Sequence, residues 1–543
     1  MTRALLLLAL VALVALPFAL RKTQVVGAAA DDTVVIITPH NEAIRYEYGR
    51  GFAAWYRAKT GRTVAVDWRV VGGTSEIARY LEGEYVTAFE RHWVGRLGRG
   101  WSEEIQAGFQ ASRQPPDASG PGREAWAAFR ASEVGCGVDV FFGGGTYDFE
   151  RQARAGRLVD AGLTRLHPEW LRDDVIPQKH GGETYWHPEG LWIGTVLSSY
   201  GIIFNRESLA RLGLAREPAR WEDLADPRLA GEVALADPTK SGSVAKAFEN
   251  IIQQQMQRRL VAWRVRGEGA GSAAESEARA VREGWTAGLQ LLQRIGANAR
   301  YFSDASQKVP IDVAAGDCAA GLCIDFYGRQ QEEAVRRRQG SGRVGFVAPA
   351  GGSVASVDPV ALMRGARNRA AAVAFIEYSL SIEGQCLWNF RPGAPGGPER
   401  YALRRLPVRR DCYGRAEWRQ FLTDPADAPY EPAEPLIYRE EWTGGVFREM
   451  AFVIRLMCQT THAELRRAWR AIHEAPETRR GPALAALQDV SAVDYDRVLG
   501  LIRPRLAARD RVEEVRLARE LAEIFRGNYR RAEAIARGQA EGG

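Results

Sequence analysis

The residues best suited to chemistry in this chain gather in four short turns. They are Pro39-His40-Asn41-Glu42, Gly72-Gly73-Thr74-Ser75, Gly143-Gly144-Gly145-Thr146-Tyr147 and Pro238-Thr239-Lys240-Ser241-Gly242-Ser243. Three of them are Gly- or Ser-rich and lead into helical patterns. A helix start carries free N–H groups and a partial positive charge, which suits an anion. Glycine lets backbone approach a ligand, and Thr or Ser hydroxyls cap or donate. His40 and Glu42 suit a metal or a polar ligand, although a His satisfied by a backbone carbonyl is as good a reading. Lys240 is either a point-charge donor to an anion or a solvated loop lysine. Tyr327, in Asp325-Phe326-Tyr327, offers a phenol to a ligand or a ring to the core. Asp358 follows a Gly/Ser break and precedes Pro359, where helix capping is the ordinary role.

Catalytic patterns are missing. The run Pro238–Ser243 lacks the spacing of a nucleotide P-loop, and neither a G-x-S-x-G elbow nor an H-E-x-x-H pair occurs. The seven histidines are scattered without ligand spacing. The expectation is a binding protein, not an enzyme, with no resident cofactor.

The elements that must hold these turns read as an α/β chain. Residues 33–37 form a β-branched run, 42–59 a helical pattern closed by Gly61, and 64–71 a second strand feeding a helix near Glu76. This β-α-β-α order is that of an open α/β sheet, whose ligands bind beyond the carboxyl ends of the strands. Residues 83–135 are rich in loop signals and read as an insertion. A strand over 138–142 and a helix over 147–155 follow. Residues 192–205 read as one long strand passing between two halves of the molecule. A strand over 233–236 leads to a helix capped near Ser241 or Ser243, residues 267–280 read as an exposed linker, and the chain beyond about 430 is mostly helical.

Length and charge narrow the class. A chain of 543 residues allows two to four domains. The 73 basic and 67 acidic side chains nearly cancel, and no basic stripe interleaved with aromatics speaks for nucleic acid. At the N-terminus Arg3 precedes an apolar run over residues 4–20, and Ala28-Ala29-Ala30 offers a cleavage site before Asp31. Residues 1–30 are therefore expected to be a signal peptide, or failing that an inner-membrane anchor, with the protein in the periplasm. Cys318 with Cys323 or Cys386 with Cys412 can pair in an oxidising compartment, and buried free thiols are an equal alternative.

Four stretches in order, "WIGTVLSSYGIIFNRESL", "WEDLADPRLAGEVALADPTKSG", "AAGDCAAGLCIDF" and "AAAVAFIEYSLSIEGQ", resemble the periplasmic solute-binding proteins of ABC importers. The similarity is greatest to the branch that includes ferric-ion binders and binders of phosphorylated or phosphonate solutes. The resemblance implies an α/β type II binding-protein fold: two lobes, a hinge and a cleft that closes on ligand. Lobe 1 is expected at 31–198 and 350–430, lobe 2 at 199–349, and a helical C-terminal extension at 431–543. The expected ligand-binding set, read from the turns and their neighbours, is His40, Glu42, Gly73, Thr74, Ser75, Gly145, Thr146, Tyr147, Ser199, Tyr200, Thr239, Lys240, Ser241, Gly242, Asp325, Tyr327 and Asp358. Ferric binders of this branch present two adjacent tyrosines, and here Phe326-Tyr327 carries over one phenol. A phosphate-, phosphonate- or carboxylate-bearing solute is therefore expected ahead of ferric iron. The expected partners are that ligand and an ABC permease, with the protein a monomer. The competing reading is an exported enzyme or sensory binding module on the same scaffold.

Overall fold

The computed structural model describes residues 30–117, 120–266, 272–508 and 510–539. All but the last residue of the expected leader, 1–30, lies outside them. Among the described residues no helix is long and apolar enough to cross a membrane.

The chain begins with Asp32–Ile37 (β1), Val64–Arg69 (β2), Val140–Phe142 (β3) and Leu158–Val159 (β4). A two-stranded ribbon, Lys179–His180 (β5) with Glu183–Thr184 (β6), precedes Ile193–Ser198 (β7). After one residue, Ser199, it continues as Tyr200–Asn205 (β8), then Val233–Ala236 (β9), Ala299–Ser303 (β10), Ala320–Ile324 (β11) and Val344–Val347 (β12). It returns as Ser356–Met363 (β13) and Leu406–Pro407 (β14).

These strands make two principal sheets. The larger runs β14-β7-β13-β3-β1-β2, with β4 also on β13; the smaller runs β10-β9-β11-β8-β12. β1 pairs in parallel with β2 and β3, as alternating strands and helices require, whereas β13 is antiparallel to β3 and β7. The residues read as one long strand are thus two, and each is interior to its own sheet. Chain passes between the sheets at Ser199 and again between β12 and β13. This is the two-sheet, two-crossing α/β architecture that the resemblance implies.

The crossings are tied to each other. The Ser199 N–H and hydroxyl both donate to Asp325 Oδ2, at 3.0 and 3.1 Å. The Tyr200 N–H donates to Ser353 Oγ at 2.8 Å, joining the outgoing strand to the returning one. Asp325 is buried at the start of the helix Asp325–Gln339. Burial pushes its carboxyl above the usual range, against the charges of Arg329 and Arg405 and hydrogen bonds from backbone N–H groups.

Three expectations are corrected. Most of the stretch read as a linker at 267–280 is helix: Ala273–Ala297 starts at Ser272, whose hydroxyl accepts from the Glu275 N–H while the Glu275 carboxylate accepts from the Ser272 N–H. This S-x-x-E capping box is masked by the Gly/Ala/Ser composition around it. Residues 83–135 are mainly helical: they continue the helix Thr74–Arg91 and add Glu103–Gln110 and Pro121–Ala131. Phe89, Phe109 and Phe129 pack there with ring centroids 4.8 to 5.4 Å apart. Asp358 caps no helix; it lies within β13, where the register shifts at Pro359. All six cysteines are buried and free.

The C-terminal helices pack on the smaller sheet's helical layer. The Trp285 indole donates to the Val493 carbonyl at 2.9 Å and the Trp469 indole to Asn298 Oδ1 at 2.8 Å. Gln293 donates to the Tyr529 hydroxyl at 2.9 Å. Buried indoles with satisfied N–H groups make this a built interface, with Leu465, Ile472, Leu517, Leu521 and Phe525 filling its apolar interior.

Candidate functional site: the cleft between the sheets

A cleft of ≈ 1250 Å³ opens between the two sheets, and all four chemistry-bearing turns reach it. His40 and Glu42, Gly73 and Thr74, and Gly145 to Tyr147 line it from the larger sheet. Lys240, Ser241, Gly242 and Tyr327 line it from the smaller, with Tyr200 and Asp358 near the crossings. Ser75, Ser199, Thr239 and Asp325 do not line it. Ser199 and Asp325 hold the crossing, and the Thr239 N–H and hydroxyl both donate to Asp237, forming a turn.

Four helices begin on the cleft: Glu42–Thr60, Thr74–Arg91, Thr146–Arg154 and Gly242–Arg266. Asn41 caps the first through the Ile44 N–H, and Ser241 Oγ accepts from the Val244 N–H at 3.4 Å in the last. The residues before the other two are Gly73 and Gly145, which have no side chain to cap with. Neither helix start is capped by the residue before it, although at the first the Glu76 carboxylate accepts from the Gly73 N–H at 3.1 Å. Glycine is required beside them. A methyl group at Gly144, where φ is +118°, would lie 2.6 Å from Thr74 Cγ2; at Gly143 it would lie 2.2 Å from His40 Cε1.

The floor is a buried ion cluster. Arg405 is fully buried, donates to Asp358 Oδ2 at 2.7 Å and also bonds the Ser198 hydroxyl. Its guanidinium stacks 4.2 Å from the Phe326 ring centroid. His40 Nε2 lies 3.3 Å from Arg405 Nη1 and 3.6 Å from Asp358 Oδ2. Burial works to raise the Asp358 pKa, but the Arg405 charge and His40 outweigh it and hold the carboxyl below its usual range. Burial lowers the His40 pKa, with Arg405 adding to the effect. A neutral His40 beside an ionised Asp358–Arg405 pair is the state this arrangement favours.

A second cluster forms the side wall. Lys246 lies 2.7 Å from Glu183 on the β5–β6 ribbon and 2.8 Å from Glu249 on its own helix. Its ammonium sits 3.5 Å from the Tyr438 ring centroid, and the Tyr438 hydroxyl donates to Glu249 at 3.1 Å. Burial acts to lower the Lys246 pKa, yet the two carboxylates hold it well above the usual lysine range.

The rim is closed. A methyl group at Gly242 would stand 3.2 Å from Thr74 Oγ1, and one at Gly73 3.4 Å from the Lys240 carbonyl. The two halves therefore approach each other closely at this edge of the cleft. Asp148 sits beside this contact; burial pushes its carboxyl up to about 6, against a hydrogen bond with Thr74. Lys240 pairs at 2.7 Å with the exposed Asp304. Tyr327 accepts a hydrogen bond from Gln307 at 2.8 Å, and burial pushes its phenol up to about 12.

Arg405, Lys246, Glu183, Glu249, Asp148, Tyr438 and Phe447 were not singled out from the sequence. Lys246 had a signal: it interrupts the apolar set Val244, Ala245, Ala247 and Phe248, all buried. Arg405 had none, because its partners lie 47 to 365 residues away along the chain.

Known proteins share parts of this chain. Residues 138–399 match a family model described as bacterial extracellular solute-binding protein. An uncharacterised protein of Haemophilus influenzae is 27% identical over 248 residues, covering 46% of this chain and 60% of that one. The phosphoglycerate transport regulatory protein PgtC of Salmonella typhimurium is 26% identical over 290 residues, covering 53% and 58%. The matches thus span about three-fifths of these relatives. Among solved structures, the periplasmic binding protein AfuA of Actinobacillus pleuropneumoniae, with fructose-6-phosphate bound, has 16% identity and a TM-score of 0.43, covering 66% of this chain and 82% of that one. Iron-bound HitA of Pseudomonas aeruginosa has 14% identity and a TM-score of 0.43, covering 78% and 99%. The stretch 138–399, just under half of the chain, is thus similar to bacterial extracellular solute-binding proteins, and it contributes strands to both sheets that border the cleft.

Proposed function

We propose that the protein captures a small anionic solute, bearing phosphate, phosphonate or carboxylate, in the interlobe cleft and presents it to an ABC permease from the periplasm. The observation that carries this reading is the convergence of four helix N-termini on one cleft, two of them preceded by glycine. Aligned backbone dipoles bring partial positive charge to the place where a ligand would sit, without the desolvation cost of burying new cations. Several of the formal charges lining the cleft are paired with one another: Glu150 with Arg154, Asp304 with Lys240, Glu183 and Glu249 with Lys246. The name of the Salmonella relative, a phosphoglycerate transport regulator, points the same way.

Closure follows from the two crossings. A ligand that touches helix starts on both halves stabilises the closed form by its differential affinity. The cleft is suited to binding, not turnover. Its one His with a carboxylate partner, His40, is buried and engaged with Asp358 at the floor.

Ferric iron fits less well. Among the described residues no group of three or more His, Cys, Asp or Glu side chains is placed to hold a metal. The Tyr200 hydroxyl lies 3.3 Å from Ser356 Oγ and Tyr327 is bonded to Gln307. Burial keeps both phenols protonated.

Titration calorimetry against sugar phosphates, phosphoglycerates, alkylphosphonates, dicarboxylates and ferric citrate tests the proposal. At least one phosphorus- or carboxylate-bearing solute should bind, and Thr74→Ala should weaken it without lowering the melting temperature by more than a few degrees. Tight binding of ferric citrate alone would overturn the anion reading.

A further inference from the structure

The cleft has a third wall that belongs to neither sheet. Tyr438, Glu440, Gly444 and Phe447 line it, and all four lie beyond the stretch 138–399 matched by the solute-binding family. The segment that carries them is fixed to the smaller sheet's half. Gln253, on the helix Gly242–Arg266, accepts from the Arg439 N–H at 2.9 Å and donates to the Arg439 carbonyl at 2.8 Å and to the Thr443 hydroxyl at 2.6 Å. Thr443 in turn donates to the buried Glu249. Beyond it, the Trp285, Trp469 and Gln293 bonds anchor the remaining helices to the same half.

At one point this wall reaches across. The Phe447 ring packs on Tyr147, with centroids 4.8 Å apart and planes at 37°. Tyr147 is the second residue of the helix Thr146–Arg154, whose start has no side-chain cap, and belongs to the larger sheet's half. The residue is 41% exposed even with Phe447 against it, so the contact is not part of either core. The pair therefore joins an element that moves with one half to a cleft-lining element of the other.

We propose that the C-terminal extension completes the binding site, and that Phe447 latches the closed cleft by docking on Tyr147. Closure is then made against the extension as well as against the smaller lobe. Phe447 and Tyr438 set the width available to the solute. This inference rests on the reading of the cleft as a closing, two-lobed site, but its test needs no ligand.

Pulsed electron-spin distance measurements between labels at Arg79→Cys and Lys308→Cys, both exposed and on opposite halves, read the lobe separation directly. The six native thiols are buried. In the ligand-free full chain a short-distance, closed population should be present. Phe447→Ala should lower the closed-to-open ratio by about three- to tenfold, the scale of an aromatic pair. Tyr147→Ala, at an exposed position that does not threaten folding, should do the same, and the double variant should add little. An absence of any closed population, or an unchanged distribution in Tyr147→Ala, would overturn the latch. A failure to find a solute leaves these distances meaningful, so the two proposals fail separately.

Discussion

The floor and the rim of the cleft use the same chemistry to opposite ends. At the floor, Arg405 and Asp358 pair with the guanidinium fully buried. At the rim, Lys240 and Asp304 pair at the same 2.7 Å separation but stand 41% and 71% exposed. Equal distances conceal unequal energetics: an exposed pair contributes about 0–1 kcal/mol, whereas breaking a buried one strands a charge at about 3–5 kcal/mol. The floor is thus fixed scaffolding near the crossings, and the rim is the part free to exchange its partners for a ligand.

Substitutions separate the two. Arg405→Ala should have the largest effect, a loss of about 3–5 kcal/mol in denaturant unfolding, because Asp358 loses its cation. A loss below about 1 kcal/mol would show that the floor is solvated. Lys246→Met should cost about 3 kcal/mol by leaving Glu183 and Glu249 facing each other, and Glu183→Gln in the same chain should recover part of it.

Asp148 stands between floor and rim. Its pKa is raised by burial to about 6 from 3.8. An acid with a raised native pKa contributes its stability below the unfolded pKa and loses it as pH rises through the native one. Asp148→Asn should therefore gain on the order of 2–3 kcal/mol over the wild type at pH 7.5, a gain that vanishes near pH 3.5. Melting temperatures measured across that range check it; a pH-independent difference would contradict the assignment. Smallest on stability is Lys240→Ala, under about 1 kcal/mol. If the rim exchanges partners with an anion, the same substitution should reduce affinity for that solute and flatten its salt dependence.

Local patterns made much of the scaffold legible. The run Val34 to Ile37 and the run Val233–Ala236 are strands because β-branched and small apolar residues suit a buried sheet on both faces. Gly61, at φ +73°, ends its helix as its position suggested. The turns at 73, 145 and 240 were recognisable because a Gly or Ser between a strand and a helix is a local signature. What could not be read was long-range. Arg405 in the run Leu403-Arg404-Arg405-Leu406 looks like any basic pair, and only folding brings it beneath His40. The helical tail announced a buried face through its periodicity, but periodicity does not say what covers that face, so Tyr438 and Phe447 could not be placed on the cleft. Ser199 and Asp325 were read as ligand contacts since they adjoin true cleft residues; their hydrogen bond to each other assigns them to the crossing.

The most direct test of the anion-binding cleft is native mass spectrometry of the full chain after incubation with a pooled panel of phosphate-, phosphonate- and carboxylate-bearing solutes and ferric citrate. The cleft described here predicts one adduct per chain, with the mass of a single small anion and diminished in the Thr74→Ala variant. Bare protein throughout, an iron adduct alone, or an anion adduct indifferent to that substitution would contradict it.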